Sequence, residues 1–305
     1  MRYDALVIGG SFAGLSGALQ IARTGRPVGV LDGGQPRNRF ATESHGFFGF
    51  DGTPPSQMIA AARADLAAYP NVTLLDALAT DARRDADAFI VTLSSGQQLE
   101  AGKLLLAFGV TDVLPELPGV RARWGQTVLP CPYCHGYEVK GRRLGVLHTF
   151  PGSSHQALLI SDWGPTTYFL NGQPTLDRET IAKLAKRGIT VEAAPVVDLA
   201  GEAPQLTGVR LESGQVTPID ALFIGTRTRL NSTVAEQLGC AIDDGPVGPV
   251  IRTDSNKLTT VPGVYAAGDI AQFGANATLA SAAGVFAGVS LHQSLIFEPL
   301  QPLPA

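Results

Sequence analysis

The stretch Tyr3-Asp4-Ala5-Leu6-Val7-Ile8-Gly9-Gly10-Ser11-Phe12-Ala13-Gly14 decides the fold. Its first six residues read as a strand. The glycine-rich run reads as a tight turn, and the Ala/Leu-rich segment to about Thr24 as a helix. Gly25-Arg26-Pro27 breaks that helix, and Val28-Gly29-Val30-Leu31 is a second strand ending at Asp32. This is a βαβ unit with its turn at a helix N-terminus, where free N–H groups and the helix dipole suit a diphosphate. Asp32 stands where a carboxylate accepts hydrogen bonds from an adenosine ribose. Gly9, Ser11, Phe12, Ala13, Gly14, Asp32 and Gly33 are the candidate dinucleotide-binding residues. Ser11 replaces the second glycine usual in such turns, and its small side chain still permits close backbone approach.

The chain has 305 residues, enough for one or two domains with a real core. Its net charge of -4 gives no reason to expect nucleic acid or an anionic membrane as partner. Residues 270–297 carry no Asp, Glu, Lys or Arg, yet they include Gln272, Asn276 and Thr278. That pattern predicts a buried helix and its approach, not a membrane span. The apolar run Ala5 to Ile8 breaks at Gly9-Gly10, too soon for a secretion leader, so a cytoplasmic location is expected. Three cysteines, two of them in one tetrapeptide, do not make a disulfide scaffold.

The two are in Cys131-Pro132-Tyr133-Cys134-His135. Four readings compete: a c-type haem attachment, a zinc site, an inert pair and a redox disulfide. Haem attachment normally goes with export. Zinc would want a second ligand pair, and only Cys240 and scattered histidines remain, so no metal site is assigned. Cysteines three apart on a helical turn bring their sulfurs within bonding reach. The N-terminal thiolate of such a pair is stabilised by free N–H groups. A histidine with an unperturbed pKa near ~6.5, as at His135, can take and give protons around neutrality.

Three more stretches complete the pattern. Thr260 to Asp269 is a turn, a short strand and a Gly-Asp pair. Leu104-Leu105-Leu106-Ala107-Phe108-Gly109 and Ala221-Leu222-Phe223-Ile224-Gly225 are apolar runs closed by glycine. Together with the N-terminal turn and the C-x-x-C, they resemble the low-molecular-weight thioredoxin reductase family of flavoproteins, over nearly the whole chain. The resemblance implies an α/β fold with two Rossmann-like three-layer domains. A discontinuous FAD domain (1–112 and 231–305) would hold an inserted nucleotide-binding-like domain (113–230) that carries the C-x-x-C, in a homodimer. Val110 to Gly119, with Pro115 and Pro118, reads as a linker, and Glu298 to Ala305 as a loose tail.

By that resemblance Asp269 holds the ribityl and phosphate part of FAD. Gly268 adjoins it, and Leu279 and Ala280 open a helix from about Thr278 to His292 that points at the flavin ring. Gly109 ends the crossing strand, with Phe108 where the family has threonine. Cys134 would face the flavin C4a atom, and Cys131 would exchange with the substrate. His135 replaces the family's acidic proton donor. His45, in a loop that runs near the flavin ring in this family, is a second proton-relay candidate. Glu138 is a weaker one. Pro130 stands where many relatives with this motif carry histidine. Cys240 reads as a small buried hydrophobe.

The middle domain departs from the family. Arg143 to Leu147, Ser153 to Asp162 and Thr166 to Leu170 read as strand, helix and strand. Aligned without gaps, the fingerprint positions between the first two are His148, Phe150 and Ser153. Imidazole and benzyl groups there would occupy the phosphate path. Asn171-Gly172-Gln173-Pro174 supplies no arginine for a 2′-phosphate, and Arg178 lies well into the next helix. NADPH binding is therefore not expected. This combination resembles the FAD-dependent dithiol oxidases that close disulfides in gliotoxin- and holomycin-type natural products. The expected activity is oxidation of a dithiol, small molecule or thioredoxin-like protein, with O2 as final acceptor. The alternatives are a reductase fed by NAD(P)H or ferredoxin, and a non-catalytic flavin redox sensor.

Overall fold

The computed structural model describes residues 2–173, 176–274 and 276–297. The expected tail, Glu298 to Ala305, and Pro174 lie outside the described residues. The chain divides into two compact units. The first comprises 1–39, 55–112 and 228–305, and the second 40–54 and 113–227. Residues 40–54, expected with the first part, group instead with the middle segment.

In the first unit, Arg2–Ile8 lies parallel to Val28–Leu31 on one side and to Gln98–Leu106 on the other. Val72–Leu75 extends the sheet beyond Val28–Leu31. The nine-residue strand Gln98–Leu106 serves two neighbours along its far edge. Ala88–Leu93 pairs antiparallel with its start, and Val264–Ala266 parallel with its end. Both faces of the parallel strands are covered, which is why they read as continuous apolar runs. Ala5, Val7 and Leu105 pack on one side, against helices Phe12–Ala22 and Ala277–Phe297. Leu6, Ile8, Leu104 and Leu106 pack on the other, with Phe89 and Val91. The two helices approach through small residues, since a Cβ on Gly284 would lie 2.0 Å from the Ala13 carbonyl oxygen. The Ala277–Phe297 helix is long and apolar enough to cross a membrane by length and composition. Its Ala280, Ala283, Gly284, Ala287 and Leu291 are nonetheless buried.

The second unit has a five-stranded sheet in the order Thr190–Glu192, Thr166–Phe169, Leu144–Leu147, Ala221–Ile224, Val128–Leu129. All its pairings are parallel. Ser153–Ile160 and Arg178–Lys186 are its longer helices among the described residues. Ala221–Ile224, expected as a return crossing, is an inner strand of this sheet. A small antiparallel sheet, Val196–Ala200, Gly208–Leu211 and Val216–Thr217, adjoins in sequence.

Candidate functional site

In the first unit, the loop after Ile8 turns at Gly9 (φ +124°), whose N–H donates to the Leu31 carbonyl at 2.8 Å. Ser11 is the N-cap of the Phe12–Ala22 helix, with extended backbone and no side-chain cap bond, and no acidic residue lies in the first turn. The helix N-terminus thus keeps its character as an anion site. Ala13 and Gly14 pack into this turn, and a Cβ on Gly14 would lie 1.7 Å from the Gly9 carbonyl oxygen. Asp32 Oδ1 accepts from the Gly34 N–H at 2.8 Å, and Oδ2 from Arg63 at 2.8 Å. Gly33 follows, tight against Leu78.

Gly268 (φ +81°) meets this turn from the other chain end, since a Cβ there would lie 2.9 Å from the Ala13 Cβ. Asp269 Oδ2 accepts from Arg37 Nη1 at 2.8 Å. Gly109 (φ +69°) is held by Asn231, whose N–H donates to its carbonyl at 3.2 Å. Asn276 engages the first amides of the last helix: its side chain accepts from Thr278 and Leu279, and its carbonyl from Ala280. Leu279 itself is exposed.

These residues fit an FAD. The side chain of Ser11, the N-cap residue, does not cap the helix N-terminus. The Nε2 of Gln272, three residues beyond Asp269, is buried without a hydrogen-bond partner among the described residues. Such a donor wants an acceptor from outside the chain.

In the second unit, Cys131 and Cys134 form a disulfide with Cα atoms 5.3 Å apart. Cys131 is the N-cap of the one-turn helix Pro132–His135, and its Sγ accepts from the Cys134 N–H at 3.2 Å. Pro132 at the first helical position suits that start. Gln156 Nε2 donates to the Pro130 carbonyl at 3.2 Å, joining the Ser153–Ile160 helix to the disulfide loop. Trp163 meets Tyr133 edge to face at 5.9 Å between centroids. A Cβ on Gly136 would lie 2.7 Å from that indole.

His45 sits on a loop closed by the Ser44–Thr53 bridge and by the Gly46 N–H donating to Asp51 at 2.8 Å. Its Nε2 is 3.4 Å from Glu138 and 3.6 Å from Glu43, and its Nδ1 is 3.6 Å from Asp51. Burial holds the His135 pKa below the ordinary histidine value; the field of Glu138 works against this and that of His45 with it. The structure thus brings His45, Glu138, His135 and the cystine together in one unit. Cys240, in the other, is buried, and its thiol pKa is raised by burial.

The turn after Leu144–Leu147 is filled from within. The buried Ser153 hydroxyl oxygen accepts from the N–H groups of Thr149 (3.1 Å) and Phe150 (3.3 Å). The Phe150 ring lies against Gly152 and Gly225, where added Cβ atoms would fall 2.3 and 2.2 Å from it. His148 Nδ1 is 2.6 Å from the hydroxyl of Tyr168, a fully buried residue whose pKa is pushed up to about 12 by burial.

The sequence reading missed Arg37, Arg63, Asn231 and Gln156. No local pattern marks them, since each acts through a partner distant in sequence.

A Rossmann-type unit with a glycine-rich turn at a helix N-terminus and an Asp269 turn, joined in one chain to a unit bearing a C-x-x-C disulfide, defines a thioredoxin reductase-like, FAD-dependent disulfide oxidoreductase. Residues 3–147 and 168–284 match the pyridine nucleotide-disulphide oxidoreductase family, and the chain belongs to it. The gap between the matched stretches opens at His148. A thioredoxin reductase, tcpT, of Claviceps purpurea is 32% identical over 277 residues, covering 87% of this chain and 86% of that protein. Among solved structures, an oxidoreductase from Agrobacterium tumefaciens is 42% identical with a TM-score of 0.94, covering 98% of this chain and 100% of that one. The structure of HlmI is 34% identical with a TM-score of 0.92, covering 97% and 93%.

Proposed function

We propose that this chain oxidises a dithiol substrate to a disulfide through Cys131 and Cys134, without NADPH. The observation that carries the reading is the Leu147-to-Ser153 turn. A pyridine nucleotide needs free amides and open space there. Ser153 takes the Thr149 and Phe150 amides, and the Phe150 ring fills the space beside Gly152 and Gly225.

A substrate thiolate attacks Cys131 Sγ, the Cys131–Cys134 bond breaks, and Cys134 leaves as a thiolate. The substrate's second thiol then attacks the substrate sulfur of the mixed disulfide. The substrate departs oxidised, and Cys131 is released as a thiolate. Two electrons have entered the protein dithiol, and the substrate's two thiol protons must leave. His135, kept neutral by burial, accepts the proton of the attacking thiol. His45 passes it outward through Glu138, 3.4 Å away. When bound, FAD supplies the two-electron acceptor that restores the disulfide, with dioxygen as final acceptor. Gly9, Ser11, Phe12, Ala13, Gly14, Asp32, Gly33, Gly109, Gly268 and Asp269 would hold it, with Leu279 and Ala280 alongside.

A homodimer and a cytoplasmic location belong to the same reading. Leu279, Phe286, Val289 and Ile296 form an exposed apolar stripe on the Ala277–Phe297 helix, opposite its buried face, and this supports pairing with a second copy. The second reading runs electrons outward through the same cystine, and the thioredoxin reductase names of several relatives favour it. Oxygen uptake with a panel of dithiols separates the two. The oxidase consumes oxygen and yields hydrogen peroxide with substrate disulfide. Reduction of a disulfide at the expense of NAD(P)H or ferredoxin, with no oxygen uptake from dithiols, supports the reductase.

A further inference from the structure

Arg37 ties together three separate segments of the first unit. It lies in the loop after the Val28–Leu31 strand. Its Nε and Nη2 donate to the two carboxylate oxygens of Asp112 at 2.9 and 2.6 Å, and its Nη1 to Asp269 at 2.8 Å. Asp112 follows the Gly109 turn, and Asp269 follows Gly268. The acids are largely sequestered, their side chains 7% and 17% exposed, and the Arg37 side chain is 27% exposed. A planar guanidinium can hold one acid with a two-pronged fork and still offer a third N–H to the second, which an ammonium cannot match. The charges matter as much as the geometry. One cation between two carboxylates leaves one net negative charge beside Gly268, and without Arg37 there would be two. A cofactor diphosphate brings further negative charge to the same turn. Asp32 shows a parallel arrangement, with Arg63 on its Oδ2.

We propose that Arg37 is a positioning residue of the flavin site: it fixes Asp269 against Asp112 and offsets the charge that Asp269 would otherwise set against the FAD diphosphate. This rests on the reading that Asp269 contacts FAD.

The test is FAD titration of the flavin-stripped full-length chain, followed by quenching of flavin fluorescence. The proteins are wild type, Arg37→Met, Arg37→Lys, Asp269→Asn and the double variant Arg37→Met/Asp112→Asn, each with the unfolding midpoint of its apo form. The expected result is at least about tenfold weaker FAD binding in Arg37→Met, from the loss of charge-assisted bonds. Arg37→Lys falls between, because it keeps the charge and loses the fork. The double variant restores the net charge and regains at least about threefold of the loss. A merely structural brace would instead lower the apo unfolding midpoint of each variant in step with its affinity, whereas the proposed role weakens FAD binding at a wild-type apo midpoint. Arg37→Met at wild-type affinity overturns the proposal, as does a double variant no better than the single. Should Arg37→Met fail to fold, Arg37→Lys decides: wild-type affinity there overturns the proposal, and weakened binding by a chain with a wild-type apo midpoint upholds it. Asp269→Asn at wild-type affinity, or a wild type that takes up no FAD, instead removes the underlying reading, and the proposal falls with it.

Discussion

The Phe150 ring rests on Gly225 so closely that a Cβ there would lie 2.2 Å from a ring carbon. On the proposed reading the contact occupies the place where a Rossmann-type unit leaves room for a diphosphate. It is a packing contact, so its removal costs stability. Phe150→Ala should lower the unfolding free energy by about 2 kcal/mol, less than for a fully buried Phe. Gly225→Ala should cost about 1–3 kcal/mol through overpacking. Denaturant midpoints check both, and a neutral Phe150→Ala would mean that the ring is not part of the packed structure.

The two cysteines should behave differently. Cys131→Ser should abolish turnover, by about 10³-fold or more, because the sulfur that the substrate attacks is gone. Cys134→Ser should leave Cys131 able to form mixed disulfides that go no further. Mass spectrometry of the chain incubated with a substrate disulfide reads this as a covalent adduct on Cys131. An adduct that forms only in Cys131→Ser would reverse the assigned roles.

Proton transfer should show in the pH profile. On the proposed reading the neutral His135 imidazole is the active form, and burial holds its pKa below the ordinary 6.5. Activity should therefore persist below pH 6.5 before it declines, and His135→Gln should lower kcat/KM by about 10²–10⁴-fold and remove that limb. The neighbours set opposite signs. Glu138 raises the His135 pKa and His45 lowers it, so Glu138→Gln should move the limb to lower pH and His45→Asn to higher pH. Linkage gives a matching stability effect. With the folded pKa depressed, the unfolded chain binds more protons as pH falls below about 6.5, so stability drops from there down to the folded pKa. His135→Gln should flatten that part of the stability curve. Shifts of the same sign in both neighbours' variants would contradict the assignment.

Much of this was legible in the sequence because the deciding signals are local. Parallel strands buried on both faces appear as continuous runs, and glycine marks the turns between them, so strands such as Arg2–Ile8 and Leu144–Leu147 could be read directly, whereas the inserted domain was only what the family resemblance implied. The C-x-x-C helix turn is likewise contained in five residues. What escaped depends on distance along the chain. Arg37 meets partners 75 and 232 residues away. Residues 40–54 join the second unit through contacts such as His45 with Glu138 and Phe40 with Gly125, and no composition shift marks the change. The Asn276 engagement of the last helix was also missed, because its side chain accepts from the Thr278 and Leu279 amides from a position before the expected helix start.

The apolar stripe on the Ala277–Phe297 helix makes a further prediction. Phe286→Glu should convert a dimer to a monomer in analytical ultracentrifugation while leaving the chain folded, because Phe286 is on the exposed face. A wild type that sediments as a monomer at micromolar concentration would remove the dimer from the account.

The central claim is that electrons enter through Cys131 and Cys134 from a dithiol and not from a pyridine nucleotide. Anaerobic rapid mixing of the FAD-loaded chain tests it most directly. Excess dithiol should bleach the flavin absorbance at a rate that supports turnover, and NADPH should leave it unchanged over the same time. Rapid bleaching by NADPH, with none by dithiols, would contradict the account.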